Sequence, residues 1–233
     1  MTLIDYTLRD TTALIRMDDG KANALSYAMM DEVEAALARA EREASSVVLT
    51  GRPGRFCAGF DLREMMKGAE SARALVTRGA DFLLRLYLFP KPLVIACSGH
   101  ALAGGALTVL TGDLRLGVEG DFRIGLNEVQ IGMPVPILAM ELARDRLSPR
   151  ALQEATLFAR VYSPGDAVSA GYLDEVVDGA QLLDKAVAEA ARLGALPSTA
   201  YATTKTILRE RTVNYVRQNL TMDMVRLTPP TAP

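Results

Sequence analysis

The sequence is poor in several residue types that mark particular functions. It has no tryptophan, one histidine and two cysteines among 233 residues. Without tryptophan it lacks a side chain often used to stack nucleic-acid bases, and two cysteines are too few to specify a zinc site. Cys57 and Cys97 both lie in apolar surroundings. We therefore expect small buried thiols in a reduced protein, and no metal centre.

A strong charge of one sign and a long hydrophobic run are also missing. The net charge is −2, so the chain has no general attraction to nucleic acid or to an anionic membrane. No segment approaches the ~20 apolar residues of a membrane-spanning helix. Residues 1–10 carry Asp5, Arg9 and Asp10 rather than the apolar run of a signal peptide. We expect a cytoplasmic protein without a membrane span.

Short strands alternate with helices along most of the chain, which predicts an α/β fold with parallel strands. Alternating polar and apolar residues at 3–8 and 12–17 predict a hairpin. From residue 181 onwards the pattern is helical, with helices predicted at 181–193, 198–209 and 213–225. We expect a core at 1–194 and a helical appendage at 195–233, whose proline-rich end at 229–233 is predicted to be disordered.

Two turns rich in small residues each follow a predicted strand and precede a predicted helix. They are residues 56–61 (FCAGFD) and 98–107 (SGHALAGGAL). Backbone N–H groups at the start of a helix have no partner within that helix. Two such turns that face each other would place two N–H donors around one oxygen, which is the oxyanion hole needed for chemistry through a thioester enolate. We therefore interpret the chain as an enzyme.

These segments resemble the crotonase (enoyl-CoA hydratase/isomerase) superfamily, and the resemblance runs from residues 21–26 (KANALS) to 174–177 (DEVV). It implies a spiral of ββα units with a C-terminal helical region used in trimer formation. A homotrimer or a dimer of trimers is therefore expected. It also implies an acyl-CoA substrate of fatty acid metabolism and no cofactor, because CoA is part of the substrate.

The resemblance also implies roles for particular residues. It puts the two oxyanion donors on the N–H groups of Ala58 and Gly104, and it matches Glu128 to a catalytic glutamate. Contacts with the acyl-CoA are implied for Lys21, Ala22, Ala58, Gly59, Phe60, Asp61 and Gly104.

Within the superfamily, residues 103–113 and 124–132 are most similar to Δ3,Δ2-enoyl-CoA isomerases. Hydratases of this fold carry two glutamates, and here Leu107 stands at the first position while Glu128 matches the second. Hydration shares its proton transfers well between two carboxyls, whereas one base suffices to move a proton from C2 to C4. An isomerase is therefore favoured. The apolar neighbours of Glu128 predict a buried carboxyl with a raised pKa.

Two other functions stay open. The chain is alternatively a hydratase of weak or unusual activity, in which another acid or an ordered water replaces the missing glutamate. It is alternatively a crotonase-like protein that binds acyl-CoA with little catalysis. RNA binding, found in a few members, is disfavoured by the net charge.

Several polar residues and the methionines can be explained by structural roles rather than by catalysis or substrate binding. His100 is expected to be a turn residue bonded to the backbone rather than a catalyst. Asp61 is predicted to cap the following helix, and Asp113 to be a structural carboxylate, with a proton relay as the alternative. Lys21 and Arg55 are either solvated or placed to contact CoA phosphates. The methionines fill gaps between helices, and three of them are also candidates for lining an acyl tunnel: Met65, Met66 and Met133.

Overall fold

The structure is a computed structural model that describes residues 2–227. Its strands are β1 (Ile4–Arg9), β2 (Thr12–Met17), β3 (Ser46–Thr50), β4 (Gly54–Cys57), β5 (Leu93–Cys97), β6 (Gly99–Leu102), β7 (Leu114–Val118), β8 (Ile124–Gly125) and β9 (Glu175–Val177). Its helices are α1 (Tyr27–Glu43), α2 (Leu62–Met65), α3 (Ala69–Tyr87), α4 (Gly104–Thr111), α5 (Ile137–Arg146), α6 (Pro149–Thr156), α7 (Pro164–Ala170), α8 (Leu182–Gly194) and α9 (Ser198–Arg226). The proline-rich end predicted to be disordered lies outside the described residues.

The strands form two sheets through a repeated ββα arrangement. The six-stranded sheet has the order β1-β2-β3-β5-β7-β9, and the three-stranded sheet has the order β4-β6-β8. In three successive units, the first strand joins the large sheet and the second joins the small one. Pairing is parallel throughout the described strands except in the predicted hairpin β1–β2. The expected spiral of ββα units is confirmed.

The small sheet was not predicted. Its strands β4 and β6 have four residues each and fall in segments that the sequence predicts as turns. They pair in parallel with Gly54 opposite Gly99. The approach is close, because a Cβ on Gly99 would lie 2.1 Å from the carbonyl carbon of Gly54. The pairing fixes the spacing of the two turns that follow these strands.

One further prediction, in the C-terminal helical region, was wrong. The helices predicted at 198–209 and 213–225 are one helix of 29 residues, α9. The polar residues between them include no glycine or proline, so nothing in the backbone ends the helix there.

A continuous hydrophobic core lies on one face of the large sheet, and α8 covers the other face. Val213 and Val216 of α9 are buried in the main core. The helix thus shares the core of residues 1–194, and a division at residue 194 stays a prediction. The two cysteines are buried thiols, as expected, and burial raises the pKa of each to about 12. Among residues 2–227, no helix combines the length and apolar character needed to cross a membrane.

Candidate active site

A cavity of about 420 Å³ opens where the two predicted turns meet. The first turn contributes Ala58 and Phe60, and the second contributes Ala103. Most of the wall is apolar and comes from α2 and the residue after it, α3, β6, α4 and the segment after β8: Leu62, Met65, Met66, Val76, Leu102, Leu107, Ile131, Met133 and Pro136. The polar side chains on the wall are Asn127, Glu128 and Gln130. The lining therefore suits an apolar chain, and its polar side chains are confined to the segment 127–130.

Glu128 is buried in this cavity. It precedes a 3-10 turn, Val129–Ile131, and its carbonyl accepts hydrogen bonds from the N–H groups of Ile131 and Met133. The side chain has no ionic partner in the described part of the chain, and Oε2 has no hydrogen-bond partner there. Burial disfavours the charged form and raises the pKa of Glu128 to about 7. A carboxyl in this state accepts and returns protons near neutral pH.

The second turn presents the N-terminus of α4 to the cavity. Ala103 precedes the helix with φ at 48°, and its N–H donates to the carbonyl of Gly125 at 3.0 Å. The N–H of Gly104 has no hydrogen-bond partner among residues 2–227. Gly105 serves close packing, because a Cβ there would lie 2.0 Å from the carbonyl oxygen of Cys57. Gly104 therefore has a free amide, and Gly105 allows α4 to approach the end of β4 closely.

The first turn differs from the expectation in one respect. The N–H of Ala58 is not free, because it donates to the carbonyl of Ala22 at 3.0 Å. The N–H of Gly59 faces the Sγ of Cys57 at 3.4 Å. The N–H of Phe60 has no hydrogen-bond partner in the described chain. The donor expected on Ala58 is therefore wrong, and Phe60 carries the free amide.

The free amides belong to segments in contact. A Cβ built on Gly59 would lie 3.2 Å from the backbone nitrogen of Gly104. The two turns that carry the amides of Phe60 and Gly104 are therefore adjacent beside the cavity. That these amides converge on one oxygen, as in an oxyanion hole, stays a prediction.

Several residues expected to contact the substrate lie away from the cavity wall. Lys21 is exposed, and its carbonyl accepts a hydrogen bond from Arg52. Asp61 caps α2 as predicted, with its carboxylate accepting from the N–H of Arg63 at 2.9 Å. Arg55 is exposed. Contacts of these residues with CoA stay predictions.

His100 and Asp113 have the structural roles expected of them. The Nδ1 of His100 accepts from the N–H of Arg123 at 3.0 Å, and burial lowers the pKa of the imidazole. Asp113 is paired with Lys205 at 2.7 Å and Arg209 at 2.8 Å, outside the cavity lining.

Two polar groups near Glu128 were not singled out from the sequence. Asn127 lines the cavity with a buried Oδ1 that has no partner among the described residues. The hydroxyl of Tyr172 is likewise buried and unpartnered within residues 2–227, and the nearby charge of Glu128 adds to burial in raising its pKa. The tyrosine lies in the short connection between α7 and β9, so no local sequence pattern places it near Glu128.

The chain is similar to known enoyl-CoA hydratases and isomerases. The enoyl-CoA hydratase/isomerase family model matches residues 7–231. The human mitochondrial enoyl-CoA delta isomerase 1 is 32% identical over 207 residues, which cover 87% of this chain and 68% of that protein. A probable enoyl-CoA hydratase from Rhodobacter capsulatus is 32% identical over 210 residues, which cover 87% of this chain and 79% of that protein.

The similarity extends to solved structures. The crystal structure of an enoyl-CoA hydratase/isomerase family protein from Pseudomonas syringae superposes with a TM-score of 0.94 at 38% identity, over 97% of this chain and 98% of that one. The expected crotonase-like fold is thereby confirmed. The isomerase and the hydratase named above are equally similar, so the comparisons alone do not distinguish the two reactions.

Proposed function

The chain belongs to the enoyl-CoA hydratase/isomerase family, and we propose that within it the protein is a Δ3,Δ2-enoyl-CoA isomerase with Glu128 as its one acid and base. The observation that carries this proposal is the content of the cavity. Among the described residues of its wall, Glu128 supplies the only carboxyl, and Leu107 stands where hydratases of this fold carry their other glutamate. A leucine neither holds water nor transfers a proton.

The proposed reaction begins with proton removal. The ionised carboxylate of Glu128 takes a proton from C2 of a 3-enoyl thioester, and the electron pair of that C–H bond delocalises onto the thioester oxygen. The amides of Phe60 and Gly104 donate hydrogen bonds to this oxygen. Removal of one donor of this kind typically costs about 3 kcal/mol of transition-state stabilisation.

The reaction ends with the return of the proton. The protonated Glu128 donates to C4, the double bond moves from C3–C4 to C2–C3, and the carboxylate is restored. Every proton and electron pair is accounted for without a metal or a redox cofactor, so we propose that none is required. The aliphatic and methionine side chains of the wall suit the acyl chain of the substrate.

A second candidate is hydration of a 2-enoyl-CoA. The observation that favours it is the unpartnered Oδ1 of Asn127 on the same wall, which has no partner among residues 2–227. An amide oxygen holds a water by hydrogen bonding, but it does not take up the proton that water loses when it attacks C3. Glu128 alone would have to serve both proton transfers.

Two substrates distinguish the candidates. We expect the purified protein to convert a 3-enoyl-CoA to the conjugated 2-enoyl-CoA and to leave a supplied 2-enoyl-CoA without forming 3-hydroxyacyl-CoA. Faster formation of 3-hydroxyacyl-CoA would favour the hydratase. A protein that retains acyl-CoA and converts neither substrate would be a binding protein.

We further propose a homotrimer or a dimer of trimers. Helix α9 exposes large apolar side chains that include Ile207 and Leu208, 65% and 73% accessible in the isolated chain. Light scattering on the eluted protein tests this: a monomer at micromolar concentration would contradict it.

A further inference from the structure

A buried glycine lies inside α3, where glycine is a poor choice for helix stability. Gly79 is in the interior of the helix and is buried. Glycine lowers helix stability relative to alanine, so its presence at a buried helical position calls for a packing reason. Alanine here would have to displace a side chain: a Cβ at this position would lie 2.1 Å from Cε1 and 2.4 Å from Cζ of Phe60.

The other edge of the same ring meets the second turn. A Cβ built on Gly104 would lie 3.3 Å from Cε2 of Phe60. The phenyl ring therefore lies between two residues without side chains, one on α3 and one at the start of α4. A side chain added at either residue would press on the ring, from opposite edges.

The ring position matters because Phe60 also carries the free amide. The preceding residue, Gly59, has φ at 96°, a conformation open mainly to glycine. The carbonyl of Gly59 lies in the same peptide plane as the N–H of Phe60, and it accepts from the N–H of Leu25 at 2.8 Å. The N–H of Asp61 donates to the carbonyl of Leu25 at 3.3 Å. These two bonds direct the Phe60 amide as long as the ring leaves the backbone in place.

We infer that Gly79 is a positioning residue for the proposed reaction: by leaving room for the ring of Phe60, it keeps the Phe60 backbone in the bonds to Leu25 that direct its amide toward the thioester oxygen. The inference rests on the proposed function, because the amide has this role only if the reaction passes through an enolate. Gly79 itself touches neither the substrate nor the reacting atoms. It acts through the ring it accommodates.

Alanine at position 79 would displace the ring toward Gly104, which faces its opposite edge. The displaced ring pulls its own backbone, so the amide loses its alignment with an oxygen that is charged only in the transition state. An interaction made mainly in the transition state lowers kcat when it is lost and leaves KM nearly unchanged. We therefore expect G79A to lower kcat at least about tenfold and to change KM less than about threefold.

A double-mutant cycle with F60A tests the route of this effect. F60A keeps the backbone amide, removes the ring and lowers kcat by itself. In the F60A background, G79A should change kcat less than about twofold. Its effect on Tm should reverse in sign: G79A lowers Tm when Phe60 is present and raises it in the F60A background, because the substitution is then a simple glycine to alanine change in a helix.

Gly165 provides the matched control. It lies in α7, and a Cβ built on it would have no atom within 4 Å. G165A should leave kcat unchanged and should not lower Tm.

The inference is overturned by any of three results. G79A keeps the wild-type kcat, or it lowers kcat by the same factor in the F60A background, or its whole effect falls on KM, which would mean that the ring merely enters the cavity. If wild-type protein converts no 3-enoyl-CoA, the proposed function fails separately. The double-mutant cycle is then measured as the affinity for a nitronate analogue of the acyl-CoA enolate, relative to the affinity for the saturated acyl-CoA. Weaker relative binding of the nitronate caused by G79A in the wild-type background but not in the F60A background supports the inference. Unchanged binding overturns it.

Discussion

Leu107 and Glu128 line the same cavity, and both are almost fully buried, at 3% and 5% exposure. Leu107 is part of an apolar wall, and Glu128 places beside that wall a carboxyl whose Oε2 has no hydrogen-bond partner among residues 2–227. Burial of such a carboxyl costs stability unless it is neutral, and the same burial brings its pKa into the range where it exchanges protons near neutral pH. The environment that makes Glu128 a poor contributor to folding thus makes it a suitable base.

The pH dependence of isomerisation should report this carboxyl. Glu128 must be ionised in the free enzyme to accept the C2 proton, and burial raises its pKa to about 7. We expect kcat/KM to fall about tenfold per pH unit below about pH 7 and to level off above it. A profile that stays flat down to about pH 5 would exclude a buried glutamate as the base.

The stability of E128Q should exceed that of the wild type at alkaline pH. The folded protein keeps the proton on Glu128 up to about pH 7, whereas the unfolded chain loses it near pH 4.5. Between these values the folded state binds more protons, so the free energy of unfolding of the wild type falls as the pH rises. At about 1.4 kcal/mol per pKa unit, the loss reaches about 3 kcal/mol above about pH 7.

Denaturant unfolding at about pH 5 and about pH 8 measures this difference. E128Q has no proton to lose, so its advantage over the wild type should grow between the two pH values. E119Q, at an exposed position after β7, is the matched control and should show no such growth. A pH-independent difference between E128Q and the wild type would contradict the raised pKa.

A second carboxyl in the cavity should add hydration. L107E places an acid on the wall that already holds Glu128, and we expect formation of 3-hydroxyacyl-CoA from 2-enoyl-CoA to rise at least about tenfold. Burial of the new group should lower the free energy of unfolding by at least about 2 kcal/mol. L107Q is the control: it should lose stability without the gain in hydration. Equal hydration by both variants would show that an ionisable group is not required.

The backbone of Ala103 stores strain at the start of α4. Its φ of 48° and ψ of −122° belong to a region of backbone conformation that glycine adopts far more readily than alanine. A103G should raise the free energy of unfolding by about 1 kcal/mol, because relief of strain outweighs the added backbone entropy. A35G, at an exposed position inside α1, should have the opposite sign. Calorimetry of both variants checks the contrast.

The ion pairs of Asp113 should matter for stability rather than turnover. Its carboxylate pairs with Lys205 and Arg209, and these cations are 6% and 3% exposed. D113N leaves them buried without their partner, which costs about 3–5 kcal/mol. D184N removes the exposed pair with Arg9 and should cost less than about 1 kcal/mol. A loss of kcat in folded D113N would instead support the proton relay.

Local patterns were sufficient to predict the hairpin, the parallel strands and the burial of Glu128. The apolar neighbours of Glu128 in sequence indicated its raised pKa, and the apolar wall beside it is completed by α2, α3 and α4. The hairpin followed from the alternation of polar and apolar residues at 3–8 and 12–17.

Features that depend on distant segments were not predictable in this way. Whether Ala58 or Phe60 has the free amide is decided by the carbonyl of Ala22, which comes from another part of the chain. The strands β4 and β6 are too short to show a period, and each exists because the other pairs with it. The clash that a side chain at Gly79 would cause likewise involves two elements brought together only by folding.

The most direct test of the account is the turnover of a 3-enoyl-CoA by E128Q beside the wild type at about pH 8, followed through the absorbance of the conjugated product. Glutamine keeps the shape of the side chain and removes its capacity to carry a proton. We expect kcat to fall at least about a hundredfold while E128Q stays folded and still binds acyl-CoA. Turnover within about tenfold of the wild type would show that another group moves the proton.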